Sequence, residues 1–554
     1  MPRMTGKKAF LEMLKAEGVK YIFGNPGTSE GPIMLELENH PELEYILGVQ
    51  EGVVMGMADG YARSTGQTAF VSLHIDSGLA NGLSLLNDAM ALGTPMVVTA
   101  GNKDIRKLSE GRADLAEICK PFTKWSAEVT HADQTTAAVR RAFSAAATPP
   151  TGPVFLAFSA NALDGEAEVE IIPSKAALSE VHPDPAAIDK AADILAGASM
   201  PVMVVGERVG QAGATAEAVE LAERLGASVY NHCSGRVNFP TGHPQFMGTL
   251  SLRNQAQRNA LRKADVVLAI GVDVFSDFFF QPGSTLTSET TLIHIDPDSS
   301  KIGKSEPTDL GIVSAPAPAF ADLAAALAER MTGTSVEAAR GRARDLAEQT
   351  ATERVSFKHA AAGNSGKQPI AVDTLMAEIA AALPDHAVIC DDAVSSKAML
   401  HSAIKFDEPG DFFGNAGGAI GFGMGATLGM KLGVPERPVV AIIGDGSAMM
   451  TAQALWTAGA YNIPVVYVIC NNGSYRVLKT NANVYLKTIL NQPDSKPKYL
   501  GSDFKVPFDF AAIARGFGVP ATRIENDAEI GPELQRAIES GGPALLDVII
   551  DPSV

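Results

Sequence analysis

The sequence predicts an α/β protein built from three doubly wound domains, each with a parallel sheet. Two observations favour this class. Short apolar runs rich in Val and Ile alternate with helical patterns along the whole chain, and the chain has 554 residues. Alternating strands and helices indicate parallel sheets covered by helices on both faces. A chain of this length is expected to form about three domains.

The first domain is expected to span residues 1–180. A helix is predicted over Thr5–Glu17, and it is followed by strands at residues 21–23, 68–73, 95–100 and 153–158. Between about residues 165 and 185 the alternating pattern loosens, which indicates a linker.

The second domain is expected at residues 186–335, with strands at 201–205, 266–270 and 291–295. After its first strand, three glycines follow a GxxxGxxG spacing: Gly206, Gly210 and Gly213. This spacing favours a turn that packs a helix against a strand, and a nucleotide-binding loop is the weaker alternative.

The third domain is expected at residues 369–554. It follows a charged helical stretch at 336–358 and a break at 360–368 that is rich in Gly, Ser and Lys. The break separates two regular patterns and therefore marks the domain boundary.

Composition and charge indicate a large soluble protein of the cytoplasm. Apolar residues make up 46% of the chain, charged residues 19%, and the net charge is −18. The acidic excess argues against nucleic acids and anionic membranes as partners, because both attract basic patches. Neither a membrane-spanning apolar run nor a signal peptide is recognisable. Four cysteines without CxxC spacing are expected to be buried free thiols, namely Cys119, Cys233, Cys390 and Cys470.

The most informative motif lies in the third domain, where Gly444-Asp445-Gly446-Ser447 follows an apolar run at residues 438–443. A helix is predicted over Ser447–Tyr461, and a second buried strand at 464–470 leads to Asn472, which lies 27 residues after Asp445. Parallel strands place both side chains at the same sheet edge, where ligands bind. Their oxygens suit Mg²⁺, which keeps phosphate oxygens and waters as its other ligands. The alternative is a simple strand-to-helix turn.

A second candidate site lies near the N-terminus. An apolar run at residues 45–50 ends at Glu51, and a helix of small residues is predicted from there. A carboxylate held in such an apolar setting is suited to acid–base chemistry. The alternative for Glu51 is an ordinary N-terminal helix carboxylate that is stabilised by the helix dipole.

The GDG sequence with NN 27 residues later resembles the signature of thiamine-diphosphate enzymes. From Phe23 to the C-terminus the chain also resembles the benzoylformate decarboxylases, a group of 2-oxo acid decarboxylases. The loop Gly24–Glu30 (GNPGTSE) and the segment Ser72–His74 (SLH) carry this similarity, with shorter matches at 121–125, 151–154 and 458–464. The resemblance implies pyrimidine-binding, middle and diphosphate-binding domains, with thiamine diphosphate and Mg²⁺ as cofactors.

The resemblance also implies roles for individual residues. Glu51 would contact the aminopyrimidine ring and activate the cofactor, Thr28 would contact the substrate carboxylate, and His74 would relay protons. The alternative for His74 is a hydrogen-bonded core histidine. Met424 would be the apolar residue beneath the thiazolium ring. The remaining implied cofactor-binding residues are Asn25, Ser395, Gly417, Gly418, Gly446, Ser447 and Tyr475, and the implied metal ligands are Asp445, Asn472 and Ser474.

Two positions depart from the benzoylformate decarboxylase pattern. Phe278 lies at or near the place of a second catalytic histidine. Asp76 follows His74 where small neutral residues are usual; it could repel an anionic substrate or pair with His74, and a solvated or helix-capping role is the alternative. The exact substrate is therefore left open.

The expected activity is Mg²⁺- and thiamine-diphosphate-dependent, non-oxidative decarboxylation of a 2-oxo acid to an aldehyde, with carboligation as a further activity. The first alternative is a carboligase or lyase of the acetolactate synthase or 2-hydroxyacyl-CoA lyase kind, acting on a 2-oxo acid or aldehyde. An inactive scaffold or regulatory subunit is a weaker alternative. A homodimer or homotetramer with active sites shared between chains is expected.

Overall fold

The computed structural model of the protein describes residues 1–108, 111–175, 180–232, 235–275 and 283–554. It contains three six-stranded sheets in which all paired strands run parallel. This confirms the α/β class with three parallel sheets.

The first sheet has the strand order β3-β2-β4-β5-β7-β6, and β1 pairs separately with β8. Alternate residues of its strands enter two different apolar clusters, as Phe70 and Val71 do, so both faces are buried. Its elements are β1 (Arg3–Thr5), α1 (Gly6–Ala16), β2 (Tyr21–Asn25), α2 (Gly31–Leu37), β3 (Glu44–Leu47), α3 (Glu51–Thr65), β4 (Ala69–Leu73), α4 (Asp76–Leu92), β5 (Met96–Asn102), α5 (Leu115–Cys119), β6 (Trp125–Val129), α6 (Thr135–Ala147), β7 (Pro153–Ser159), α7 (Ala160–Asp164) and β8 (Glu166–Glu168).

The second sheet has the order β11-β10-β9-β12-β13-β14. A Cβ atom on Gly206 would lie 2.5 Å from Gly271 O, and one on Gly210 would lie 2.5 Å from Asn238 Oδ1, so both glycines serve close packing. The elements are α8 (Pro185–Ala196), β9 (Pro201–Val205), α9 (Glu207–Gln211), α10 (Thr215–Leu225), β10 (Ser228–Asn231), β11 (Phe246–Thr249), α11 (Gln255–Lys263), β12 (Val266–Ile270), β13 (Thr291–Asp296), β14 (Leu310–Val313), α12 (Pro316–Arg330) and the long helix α13 (Thr334–Asn364).

The third sheet has the order β16-β15-β17-β18-β20-β19. The single helix predicted over Ser447–Tyr461 is wrong: the chain leaves the helical conformation at Thr451, whose hydroxyl donates to Gly421 O at 2.6 Å, and two helices result. The elements are α14 (Val372–Ala382), β15 (Val388–Asp392), α15 (Lys397–Ala403), β16 (Phe412–Gly414), α16 (Phe422–Gly433), β17 (Val439–Gly444), α17 (Asp445–Met450), α18 (Ala454–Ala460), β18 (Val466–Asn471), α19 (Arg476–Val484), α20 (Phe510–Gly516), β19 (Ala521–Ile524), α21 (Ile530–Glu539) and β20 (Ala544–Ile549).

Helices α3 and α16 join the first domain to the third. A Cβ atom on Gly60 would overlap the carbonyl oxygen of Ala426, and one on Gly429 would overlap that of Met57. Glycine at these positions therefore lets the two helix backbones touch. Their apolar residues belong to one cluster, so the first and third domains share a hydrophobic core.

Three of the four cysteines, Cys119, Cys390 and Cys470, are free and buried, as predicted. Burial raises the pKa of the Cys119 thiol to about 12, which makes it unreactive. Cys233 lies outside the described residues. No helix in the described part of the chain is long and apolar enough to cross a membrane.

Candidate active site

Three neighbouring strands of the first sheet end at one group of polar side chains. Asn25 ends β2, Glu51 follows β3 as the first residue of α3, and His74 follows β4. Glu51 is 6% exposed. Its two carboxylate oxygens accept hydrogen bonds from Asn25 Nδ2 at 2.9 Å and Asn81 Nδ2 at 3.0 Å. Two amide donors thus hold the Glu51 carboxylate in one orientation at the start of the helix.

His74 is held through one ring nitrogen. Its Nδ1 lies 3.0 Å from Glu30 Oε2 and 2.9 Å from the hydroxyl of Ser29. Glu30 is 1% exposed and also accepts bonds from the Ser29 hydroxyl and from the N–H groups of Gly27 and Gly101. Since a carboxylate can only accept, Nδ1 donates a hydrogen bond to Glu30, which leaves Nε2 outside this contact.

Sequence reasoning missed Ser29, Glu30 and Asn81. The first two lie within the GNPGTSE loop, so the loop itself was the signal for them. Asn81 has no motif around it, and only its position one and a half turns into α4 brings it to Glu51.

The structure decides part of what the sequence left open around His74. Asp76 is exposed at the start of α4 and accepts from its neighbour Ser77 N, whereas His74 pairs with Glu30. This arrangement favours the helix-terminal interpretation of Asp76. Thr28 is exposed on the same loop, next to Ser29. Phe278 lies outside the described residues.

The carboxyl ends of β17 and β18 bring the predicted metal ligands together. Asp445 is 2% exposed, and its oxygens accept from Gly446 N at 2.8 Å and Asn472 N at 3.1 Å. Asn472 Oδ1 accepts from both the N–H and the hydroxyl of Ser474, each at 3.0 Å. One carboxylate, one amide and one hydroxyl residue thus form a single hydrogen-bonded set.

Burial dominates the electrostatics of this edge. It raises the pKa of Asp445 to about 6, although four backbone N–H groups around the carboxylate act in the opposite direction. Burial also raises the pKa of Asp392, which ends the neighbouring strand β15, to about 7. Asp392 Oδ2 accepts from Gly421 N and Gly423 N, but its buried Oδ1 has no partner among the described residues.

Other expected cofactor residues line the same edge. A Cβ atom on Gly446 would lie 2.5 Å from the ring of Tyr475, so the ring covers this glycine closely. Ser447 is buried, and its hydroxyl lowers the pKa of Asp392, against the larger rise that burial causes. Ser395 is half-buried, and its carbonyl oxygen accepts from Arg476 at 2.9 Å.

Met424 does not lie where the sequence reasoning placed it. Its side chain is 0% exposed inside α16, within the core shared by the two domains, and its carbonyl oxygen accepts from the Tyr467 hydroxyl. A residue that supports a bound ring needs surface open to that ring, and Met424 has none. Ile420 is apolar and half-buried on the preceding loop, beside Gly417 and Gly418, and is the better candidate.

The residues present fit thiamine diphosphate with a divalent cation. Asp445, Asn472 and Ser474 offer the oxygen donors that Mg²⁺ prefers, and few protein ligands suffice because phosphate oxygens and waters complete its shell. In the described part of the chain no three His, Cys, Asp or Glu residues gather, as a zinc or iron site would require. Asp392 Oδ1 is buried without a hydrogen-bond partner among the described residues, so this edge keeps one acceptor that a bound ligand can use.

Family models agree with this site. The chain belongs to the thiamine pyrophosphate (thiamine diphosphate) enzyme family. The N-terminal TPP-binding domain matches residues 4–128, the central domain residues 188–323, and the C-terminal TPP-binding domain residues 392–548. The protein is therefore a thiamine-diphosphate-dependent enzyme.

Individual relatives are similar over the whole length. The chain is 34% identical to benzoylformate decarboxylase of Pseudomonas aeruginosa, covering 98% of each chain. It is 27% identical to the acetolactate synthase large subunit of Haemophilus influenzae, covering 100% of this chain and 96% of the other. Among solved structures, the 4-hydroxybenzoylformate decarboxylase of Rhodococcus jostii RHA1 is 28% identical, with a TM-score of 0.83 over 99% of this chain and 100% of the other.

Proposed function

We propose that the protein catalyses the non-oxidative decarboxylation of a 2-oxo acid of the benzoylformate type to an aldehyde. The observation that carries this proposal is the oriented His74 beside Glu51. Both side chains flank Gly78, where a Cβ atom would lie 2.8 Å from His74 Cβ and 3.2 Å from Glu51 Oε1. A carboxylate and an imidazole that lie this close to each other can serve two successive proton transfers.

Thiamine diphosphate, when bound, supplies the electron sink that lets the bond between the carboxylate and the carbonyl carbon break. Glu51 would hold its pyrimidine end, and the side-chain amides of Asn25 and Asn81 fix the orientation of this carboxylate. Asp445 and Asn472, with Ser474, would hold Mg²⁺ and through it the diphosphate.

His74 is proposed to take up a proton from water at Nε2 and to deliver this proton to complete the aldehyde. Its Nδ1 is engaged with Glu30, so Nε2 is the nitrogen that exchanges a proton with the substrate. Thr28 lies two residues before Glu30 on the same loop, and its exposed hydroxyl is proposed to bind the substrate carboxylate. A cleft that excludes water favours loss of CO₂, because the localised charge of the carboxylate is dispersed as the bond breaks.

The test is a substrate panel with purified enzyme, thiamine diphosphate and Mg²⁺. Benzoylformate and pyruvate are compared for CO₂ release and for aldehyde formed, with omission of the cofactor as the control. We expect CO₂ and aldehyde in equal amounts from a 2-oxo acid of the benzoylformate type. Cofactor-dependent turnover that yields only hydroxy ketones would refute the decarboxylase proposal.

The second candidate is carboligation of the acetolactate synthase kind. It is supported by the full-length similarity to acetolactate synthase subunits, although at lower identity. Product analysis with pyruvate, alone and with benzaldehyde or formaldehyde as acceptor, separates the two activities. A 2-hydroxy ketone as the main product from pyruvate alone would favour this candidate.

A further inference from the structure

Asp88 is a buried carboxyl group that the proposed chemistry does not use. It lies in α4 of the first domain and is 1% exposed. Across the domain boundary it meets the loop between β16 and α16, which carries Gly417 and Gly418. No motif marks Asp88 in the sequence, and its contact lies some 330 residues away along the chain.

The contact between Asp88 and the loop is close and polar. Asp88 Oδ1 accepts from Ala419 N at 3.2 Å, and the neighbouring Asn87 Nδ2 donates to Gly417 O at 3.5 Å. A Cβ atom on Gly417 would overlap Asp88 Oδ1, so the loop backbone lies directly against the carboxyl group. The position of the loop therefore depends on this side chain.

The loop is exposed at Gly418, on the side away from the Asp88 contacts. Gly418 has a φ of +91°, a conformation that glycine adopts without strain. Within the loop, Asn415 Nδ2 bonds to Ala419 O and Gly418 N bonds to Asn415 Oδ1. Asn415 thus shapes the loop from inside, while Asp88 anchors it to the first domain.

Asp88 Oδ2 is buried without a partner among the described residues, which is costly for a carboxylate. Burial raises the pKa of Asp88 to about 7; Ala419 N–H and the charge of Arg63 oppose this rise, whereas Asp59 and Asp392 add to it. Of the two carboxyl oxygens of Asp88, Oδ1 accepts a hydrogen bond and Oδ2 has no partner among the described residues.

We propose that Asp88 is a positioning residue for the cofactor: its bond to Ala419 N–H holds the Gly417–Ala419 loop in the shape that receives the pyrimidine end of thiamine diphosphate. This inference rests on the proposed function, because it assigns the loop to the cofactor. It also explains why a glycine must stand at position 417.

The experiment measures the Kd of thiamine diphosphate by calorimetry at saturating Mg²⁺, without substrate, for the full-length protein and its variants. Asp88→Ala removes the acceptor of Ala419 N–H, and we expect the Kd to rise about tenfold, the effect of losing one hydrogen bond to a charged group. Asp88→Asn keeps a carbonyl oxygen in place and is expected to stay within about twofold of wild type. Asp133→Asn, an exposed aspartate on the same domain, is the matched control.

Each outcome decides the proposal. Wild-type affinity in Asp88→Ala, or equal weakening in the Asn and Ala variants, would overturn it. If Asp88→Ala does not fold, Asp88→Leu removes the acceptor without opening a cavity, and failure of both to fold would show that Asp88 serves folding alone. Wild-type protein that binds the cofactor but decarboxylates no 2-oxo acid would refute the proposed function only, because affinity is measured without substrate.

Discussion

The imidazole Nδ1 of His74 lies 3.0 Å from Oε2 of Glu30, a carboxylate that is 1% exposed and accepts four hydrogen bonds. This pair leaves Nε2 as the ring nitrogen through which His74 is proposed to exchange a proton with the substrate. Glu30 comes from the loop after β2 and His74 from the end of β4, so the pair exists only when these neighbouring strands are paired.

The first prediction concerns this pair. In Glu30→Gln an amide NH₂ faces groups that donate hydrogen bonds, so His74 loses its orientation. We expect decarboxylation to fall about 10²-fold, within the range of general acid–base catalysis, while cofactor affinity stays unchanged. Steady-state kinetics and calorimetry measure the two effects, and Glu38→Gln, an exposed position directly after the following helix, is the control. Full activity in Glu30→Gln would show that the pair is not needed.

The second prediction concerns Glu51. Glu51→Gln keeps an acceptor for one of the two asparagine amides, and the other asparagine can turn its own carbonyl oxygen toward the new NH₂ group, but the substitution removes the proton acceptor. We expect cofactor binding to survive and exchange of the cofactor C2 proton to slow by about 10²–10⁴-fold. Proton-exchange NMR on the bound cofactor is the measurement. Exchange at the wild-type rate would exclude Glu51 as the activating group.

The third prediction concerns the metal. Asp445→Ala removes the only carboxylate in the hydrogen-bonded set that it forms with Asn472 and Ser474 in the described structure. We expect Mg²⁺-dependent binding of thiamine diphosphate to be lost, since Mg²⁺ is usually held by at least one carboxylate. Calorimetry with and without Mg²⁺ checks this, and equal affinity in the variant would refute the metal assignment.

The fourth prediction uses the buried Asp392. Its pKa in the folded protein is about 7, above the ordinary value of about 3.9. Relative to high pH, Asp392 therefore stabilises the folded protein fully below about pH 4, and this stabilisation is lost as the pH rises through 7. Asp392→Asn keeps an acceptor for Gly421 and Gly423 but cannot ionise. We therefore compare the free energy of unfolding of the variant with that of wild type at two pH values. We expect the difference in favour of the variant to be about 2–3 kcal/mol larger at pH 8 than at pH 5.

Thermal unfolding of the cofactor-free protein at the two pH values measures this difference. Asp88 and Asp391 also have pKa values raised by burial, and both interact with Asp392 through their charges, so the measured difference includes their response to the loss of the Asp392 charge. If the difference in free energy of unfolding between the variant and wild type is the same at pH 5 and pH 8, Asp392 does not titrate in this range.

The fifth prediction is that active sites are shared between subunits of a homo-oligomer, as the family resemblance implies. Inactive Glu51→Gln chains are mixed with inactive Asp445→Ala chains under conditions of subunit exchange. A mixed dimer then contains one site with an intact Glu51 from one chain and an intact Asp445 from the other. We expect activity to return. No recovery after confirmed exchange would place both residues of each site in one chain.

Local sequence determined most of the fold. The strands at 201–205 and 266–270 were predicted to the residue, and the start of α3 at Glu51 was predicted as well. Buried parallel strands are continuous apolar runs, and their ends are marked by Gly, Asp and Asn, so both signals are readable without the partner strands. The convergence of Asp445 and Asn472 follows from the same logic, because neighbouring parallel strands end at one edge.

Only the tertiary structure decided which side chains meet. Glu30 with His74, Asn81 with Glu51, and Asp88 with Ala419 are pairs from different elements, and no local pattern encodes their distance. Met424 shows the opposite case: a motif position looked suitable, but packing of α16 against α3 buries its side chain completely. Periodicity indicates that a residue is apolar and helical, whereas its exposure to a ligand depends on what the neighbouring domain covers.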